Sequence, residues 1–303
     1  MSRELVRIRE FLMKRKIKEV GASRSMLYRR RQADIAMRAV IRMPRGATAE
    51  RVELAGMSAL RVRGERVPPD AKTLLYFHGG AFYSGSSETH KGMAASISEA
   101  SGMQAVVIDY RLAPEYLYPA AHNDALAAYR CLIDGGIEPC DIALCGDSAG
   151  GNLVLATLLA LRDEGAPLPR TAVMLSPWLD PLETRGDSYT NRAELDPTLD
   201  GELLLADARF YYEPEDGYEA ACLLDRSMAG LPPMLIQAGD HEILLDDSVL
   251  LAEKARAAGC DVTLEVWPEL WHVFQALVAI IPEAAEAVEH IGSFLREKMG
   301  IPE

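Results

Sequence analysis

Cysteine is scarce in this chain of 303 residues: Cys131, Cys140, Cys145, Cys222 and Cys260 make an odd count with no C-x-x-C spacing. Such a set excludes a disulfide framework and shows no metal-ligand pattern, so reduced thiols in a cytoplasmic protein are expected. No uninterrupted apolar run reaches the ~18 residues of a membrane span, and the N-terminus lacks the apolar core of a signal peptide. There is no G-x-x-x-x-G-K-[ST] phosphate loop, no internal repeat and no low-complexity linker. Positive charge is sparse after the first 45 residues: 18 Lys and Arg stand against 41 Asp and Glu, while residues 1–45 carry 14 against 4, for a net charge of −13. A basic arm raises nucleic-acid or membrane-surface binding. Leu5, Ile8 and Leu12 recur there at helical spacing, however, and Phe11, Ile17 and Val20 extend the apolar face. That pattern points instead to an amphipathic helix docked on an acidic body.

What the chain does contain is a regular alternation of strand and helix patterns. Hydrophobic residues make up 49% and charged residues 25%, the balance of a soluble globular protein long enough to bury a large core in one domain. Arg51–Leu54 and Leu60–Arg63 alternate like an early antiparallel pair. Strands are expected near 74–78, 105–109, 141–145, 171–175, 234–238 and 262–267. Helices are expected over 88–101, 121–134, 150–163 and 246–258, with a helical tail over 282–298. This is the pattern of an α/β fold, a mostly parallel sheet covered by helices. Residues 180–224, rich in acids and tyrosines, interrupt the alternation, with helical character around 200–212.

Three segments carry chemistry. Gly146-Asp147-Ser148-Ala149-Gly150 reads G-x-S-x-G, between the apolar strand ending at Cys145 and the apolar helix beginning near Asn152. A strand turning sharply into a helix holds Ser148 strained at the apex, as a nucleophile requires. Upstream, the strand Leu74–Phe77 runs into His78-Gly79-Gly80. Acyl transfer builds negative charge on a carbonyl oxygen, and backbone N–H groups of Gly79, Gly80 and Ala149 are suited to receive it. His78 is expected to fix that loop by side-chain hydrogen bonds, with no part in proton transfer. Downstream, His272 follows the alternating strand 262–266 in a loop. Of the six histidines, His78, His90, His122, His241 and His290 sit upstream of the acid, beside it or inside the helical tail, so the order nucleophile, acid, histidine points to His272 as the base.

The acid that orients His272 lies among the carboxylates leaving the strand near 234–238, with Asp240 and Glu242 as candidates. Asp246 and Asp247 instead suit the start of the helix through Ala257, where carboxylates complement the helix dipole. Asp109 and Arg111 read as an internal pair bracing the loop beside the oxyanion site. Asp147 reads as a brace between loops.

Assembled, these residues closely resemble the hormone-sensitive-lipase-like family of α/β-hydrolase carboxylesterases. The resemblance rests on His78-Gly79-Gly80-Ala81-Phe82, Asp109-Tyr110-Arg111-Leu112-Ala113-Pro114-Glu115 and Gly146-Asp147-Ser148-Ala149-Gly150-Gly151-Asn152. Ser176-Pro177-Trp178 with Asp180, Leu231-Pro232-Pro233, and Trp271-His272-Val273-Phe274 extend it from about residue 40 to the C-terminus. It implies an α/β-hydrolase fold with a helical cap. Residues 1–45 would supply N-terminal cap helices and residues 46–303 the catalytic domain, with 180–224 as a cap insertion. In the family the acid opens an acid-x-L-x-D pattern, most often as aspartate. Glu242-Ile243-Leu244-Leu245-Asp246 is the segment in that register, so the resemblance favours Glu242, while Asp240 sits two residues early.

The activity implied is hydrolysis of carboxylic esters, with short- to medium-chain acyl groups, by a triad of Ser148, Glu242 and His272. Gly79, Gly80 and Ala149 would form the oxyanion hole, and neither cofactor nor metal is needed. The partner expected is a small-molecule ester, with no nucleic acid and no stable membrane insertion; association as a homodimer is compatible. Two alternatives use the same fold: a non-enzymatic small-molecule receptor, which in plant relatives lacks the histidine retained here as His272, and an acyltransferase using the same triad.

Overall fold

The computed structural model describes residues 2–15, 25–213 and 221–302. Eight strands form one sheet in the order β1-β2-β4-β3-β5-β6-β7-β8. They are β1 (Thr48–Leu54), β2 (Met57–Arg63), β3 (Thr73–Phe77), β4 (Gln104–Ile108), β5 (Ile142–Asp147), β6 (Thr171–Leu175), β7 (Met234–Gly239) and β8 (Val262–Trp267). β1 and β2 form an antiparallel hairpin, β2 runs antiparallel to β4, and every pairing from β4 through β8 is parallel.

The central strands are buried on both faces because their side chains alternate between two apolar cores. Leu75, Phe77, Leu144, Met174 and Ile236 face one core. There they meet α4 (Ala120–Asp134), α5 (Ala149–Asp163) and α8 (Leu245–Ala257) through residues such as Ala125, Leu153, Leu158 and Leu251. Leu74, Tyr76, Ala143, Val173 and Leu235 face the other. That side is covered by α3 (Ser87–Ser101) and α9 (Pro282–Met299), which contribute Met93, Ile97, Ile291 and Leu295. A capping box between Ser86 and Thr89 starts α3, and Gly102 in the left-handed region ends it.

The expected hairpin is real but longer at its turn, because Ala55 and Gly56 both take positive φ and let the strands meet directly. Within 180–224 lie the short α6 (Ser188–Asn191) and α7 (Gly201–Tyr211).

Two helices precede the sheet, α1 (Arg3–Arg15) and α2 (Met26–Val40). Leu5 is buried among Leu270, Trp271, Phe274 and Ile281, with Ile8 and Leu12 packed beside it. Phe11 departs from the expected stripe and is 53% exposed. At about 100° per residue it falls about 120° round the helix from Leu5 and about 100° from Leu12, at the margin of the stripe beyond Ile8. Ile17 and Val20 lie outside the described residues. Ion pairs join this region to the rest: Arg9 to Glu269, Arg29 to Asp207 on α7, and Arg30 to Glu115. The Arg29–Asp207 pair is nearly dry, with side chains 10% and 6% exposed. Among the described residues no helix is long and apolar enough to cross a membrane.

Candidate active site

The sheet brings the candidate residues to one edge, the carboxyl ends of neighbouring parallel strands, where ligand sites of α/β folds form. The glycine loop follows β3, Ser148 follows β5, Ser176 follows β6, Glu242 follows β7 and His272 follows β8.

Ser148 has φ 54° and ψ −120°, between the last residue of β5 and the first of α5. A left-handed φ is costly for a residue with a Cβ, by about 1–3 kcal/mol, and persists only where the surroundings impose it. Ser148 N–H donates to Leu175 O at 2.9 Å, which ties the turn to β6. Gly150 makes the turn sterically feasible: a Cβ there would lie 1.9 Å from Phe77 O.

The loop after β3 folds over this turn. Gly80 has φ +122°, and its carbonyl accepts from Tyr83 and Ser84 N–H and from the Ser84 hydroxyl, so the loop closes on itself. The N–H groups of Gly79, Gly80 and Ala149 donate to no acceptor among the described residues. His78 is fully buried, and desolvation, followed by electrostatic repulsion between it and His90, lowers its pKa to about 4. Its neutral ring stacks on Tyr110 at 4.1 Å, and Nδ1–H donates to Gly79 O at 2.8 Å. Tyr110 O–H donates to His78 O at 2.7 Å.

Asp147 accepts the Tyr76 hydroxyl at 2.7 Å and lies 3.5 Å from His90 Nε2. Burial alone would raise its pKa, but His90 and the Tyr76 bond outweigh that and leave it lowered. Its bonds are those of a brace beneath the loop.

His272 is 10% exposed at its side chain, and its Nδ1 lies 3.6 Å from Oε2 of Glu242, whose side chain is wholly buried. Burial raises the Glu242 pKa, while His272 and a hydrogen bond from Ser176 oppose the rise. Asp240 faces elsewhere. Its Oδ1 accepts the Glu269 N–H at 2.5 Å and lies 3.7 Å from His241, with the side chain 34% exposed. The structure thus brings Glu242 to His272 and sets Asp240 to hold the loop after β8. Asp246 and Asp247 do open α8. Asp247 also accepts the Leu179 and Asp180 N–H groups at 2.7 and 3.1 Å, and desolvation pushes its pKa up to about 7.

One expected pairing is not formed. Asp109 accepts from Ser87 N–H and O–H at the start of α3, at 2.7 and 3.0 Å. Arg111 instead binds Asp124 on α4, with Nη2 to Oδ1 at 2.7 Å. Both side chains brace elements around the loop, but each through a helix and not through the other.

Sequence reasoning gave no role to His122, Asp196 or Ser176. His122 links three elements: Nδ1 accepts the Tyr211 hydroxyl at 3.2 Å and Nε2–H donates to Asn152 Oδ1 at 3.1 Å. Asn152 in turn donates to Trp178 O at 2.9 Å. Asp196 accepts the Ile243 N–H at 3.1 Å, next to Glu242. The signal available for Ser176 was its position directly after a buried strand at the sheet edge that carries the site.

Comparison with known proteins fits this geometry. A family model described as alpha/beta hydrolase fold matches residues 74–276. An acetyl-hydrolase of Streptomyces hygroscopicus is 41% identical over 232 residues, covering 76% of this chain and 77% of its own. An esterase of Acinetobacter venetianus is 36% identical, over 77% of this chain and 78% of its own. Among solved structures, an esterase from the bacterial hormone-sensitive lipase family superposes with a TM-score of 0.92 at 38% identity, covering 99% of each chain. An esterase/lipase from an uncultured bacterium gives a TM-score of 0.92 at 37% identity, covering 99% of this chain and all of that one.

Proposed function

Since the chain belongs to the hormone-sensitive-lipase-like esterases of the α/β-hydrolase fold, we propose that it hydrolyses short- to medium-chain acyl esters through an acyl-enzyme on Ser148. The observation that carries this reading is the strained Ser148 turn, at the sheet end where the Gly79, Gly80 and Ala149 N–H groups have no acceptor among the described residues. Backbone strain of that kind in a buried turn has a use when the residue must be presented to a substrate.

In the proposed cycle His272 Nε2 takes the Ser148 proton as Oγ bonds to the ester carbonyl carbon. The carbonyl oxygen becomes an oxyanion and takes hydrogen bonds from Gly79, Gly80 and Ala149. The carbon–oxygen bond to the alcohol then breaks, and His272 returns the proton to the leaving oxygen. Water enters, gives its proton to His272 and attacks the acyl carbon; collapse frees the acid and restores Ser148. Glu242 holds the imidazole with its proton on Nδ1 and stabilises the imidazolium. The 3.6 Å separation tightens when substrate excludes water, as catalytic hydrogen bonds do on forming the Michaelis complex. The acetyl-hydrolase relative supports a small acyl group. Helices α1 and α2, with residues 180–224, form the cap in this reading, and the Arg29–Asp207 pair joins its two halves.

The test is turnover of p-nitrophenyl esters of increasing acyl length by the wild type and by Ser148→Ala and His272→Ala. A short-chain optimum and losses of about 10⁴-fold in kcat for both variants are expected. Absence of turnover in the wild type, with ligand binding retained, would identify a receptor. Faster product formation with added alcohol at the expense of free acid would identify an acyltransferase.

A further inference from the structure

We propose that Ser176 is a positioning residue for the triad: its hydroxyl holds the Glu242 carboxylate as an acceptor and ties it to the backbone that carries His272. The proposal rests on the triad reading above. Ser176 Oγ donates to Glu242 Oε2 at 2.7 Å, the same oxygen that faces His272 Nδ1. It also accepts the Val273 N–H at 3.1 Å, one residue beyond His272. A backbone N–H can only donate, so this contact uses a lone pair of Oγ and leaves the hydroxyl proton for Glu242. Were Oε2 protonated and donating, the Ser176 proton would have no acceptor among the described residues. The hydrogen-bond arithmetic therefore leaves Oε2 without a proton of its own, an acceptor both for Ser176 and for an imidazole with its proton on Nδ1.

The backbone supports the same role. Ser176 has φ 45° and Val273 has φ 50°, both in the left-handed region, which a β-branched residue such as Val rarely enters. Ser176 is fixed from behind by its N–H to Gln237 O at 2.7 Å, on the neighbouring strand. Two strained loops thus meet at one hydroxyl, anchored to the sheet through the Ser176 backbone, and the other hydrogen bond of that hydroxyl is to the acid.

The charged groups facing Glu242 are His272 from the loop after β8 and Asp196 from the segment between β6 and β7. Asp196 opposes ionisation, as does burial, and His272 favours it. Ser176 gives the Glu242 side chain its one hydrogen bond among the described residues, and it is a charge-assisted one.

The test is the pH dependence of kcat and kcat/KM for p-nitrophenyl butyrate with wild type, Ser176→Ala, Glu242→Gln and the double variant. Ser176→Ala should lower kcat about ten-fold with little change in KM, and move the acid limb of kcat/KM upward by about one pH unit. Ser176→Gly removes the same hydroxyl while relieving the left-handed strain, so it should reproduce the shift even if the Ala variant folds poorly. In the Glu242→Gln background either change should cost nothing further, because the partner is already neutral. An unmoved acid limb, or an equal loss in both backgrounds, would show that Ser176 acts only on structure and overturn the proposal. Native turnover by Glu242→Gln alone would instead overturn the triad reading on which it stands.

Discussion

Two carboxylates compete for the role of acid, and they lie two residues apart. In a strand that spacing would put both on one face, but β7 ends at Gly239 and the chain turns before either. Asp240 is pulled to the Glu269 N–H, while Glu242 is driven into the interior beside His272. Glu242→Gln keeps the volume and removes the charge, so kcat should fall by orders of magnitude, about 10⁴-fold where the acid sets the tautomer. Asp240→Asn should leave kcat near the wild-type value and lower the melting temperature, since it weakens a brace of the loop after β8. Steady-state kinetics and thermal melts of the two variants decide the matter; the reverse ranking would give the role to Asp240. Order along the chain narrowed the acid to two residues, and the register of Glu-x-Leu-x-Asp, known through resemblance, favoured one. The turn that separates their directions is a property of the folded loop and is written in neither pattern.

Among the elements, the strands were the most legible because burial on both faces makes them short, continuous apolar runs. Contacts between elements were much less so. Asp109 and Arg111 are two residues apart in the sequence, yet each found a partner on a helix, because pairing depends on which side chains the fold brings within reach. His122 shows the same limit: its partners Tyr211 and Asn152 come from α7 and α5. Burial lowers the His122 pKa from 6.5 to about 4. The unfolded chain therefore binds a proton that the folded chain refuses, so this contribution is complete above about pH 6.5 and is lost as pH falls toward 4. His78 titrates in the same window and adds to the loss. A glutamine at 122 can still accept from Tyr211 and donate to Asn152 without titrating. Melting temperatures of His122→Gln should consequently fall less steeply than wild type on acidification through that range. An unchanged slope would mean that His122 is not held neutral by the fold.

The molecule as a whole is divided by charge, with a basic first segment and an acidic remainder, and the structure docks one on the other through Arg9, Arg29 and Arg30. Apolar burial adds to this, since Leu5 fills the cluster of Leu270, Trp271 and Phe274 around the His272 loop. Removing residues 1–45 should bare that cluster, reduce turnover of short esters and promote aggregation. A truncated protein with full activity on soluble esters and lost binding to anionic vesicles would show that the segment serves a membrane surface instead. The claim on which the account rests is that Ser148 is the one activated nucleophile. It is tested most directly by titrating the full-length protein with a fluorophosphonate and mapping the modified peptide by mass spectrometry. The account predicts loss of esterase activity in proportion to labelling, with the phosphonyl group on Ser148 alone; activity that survives complete labelling of Ser148, or inactivation with the label on another residue, would contradict it.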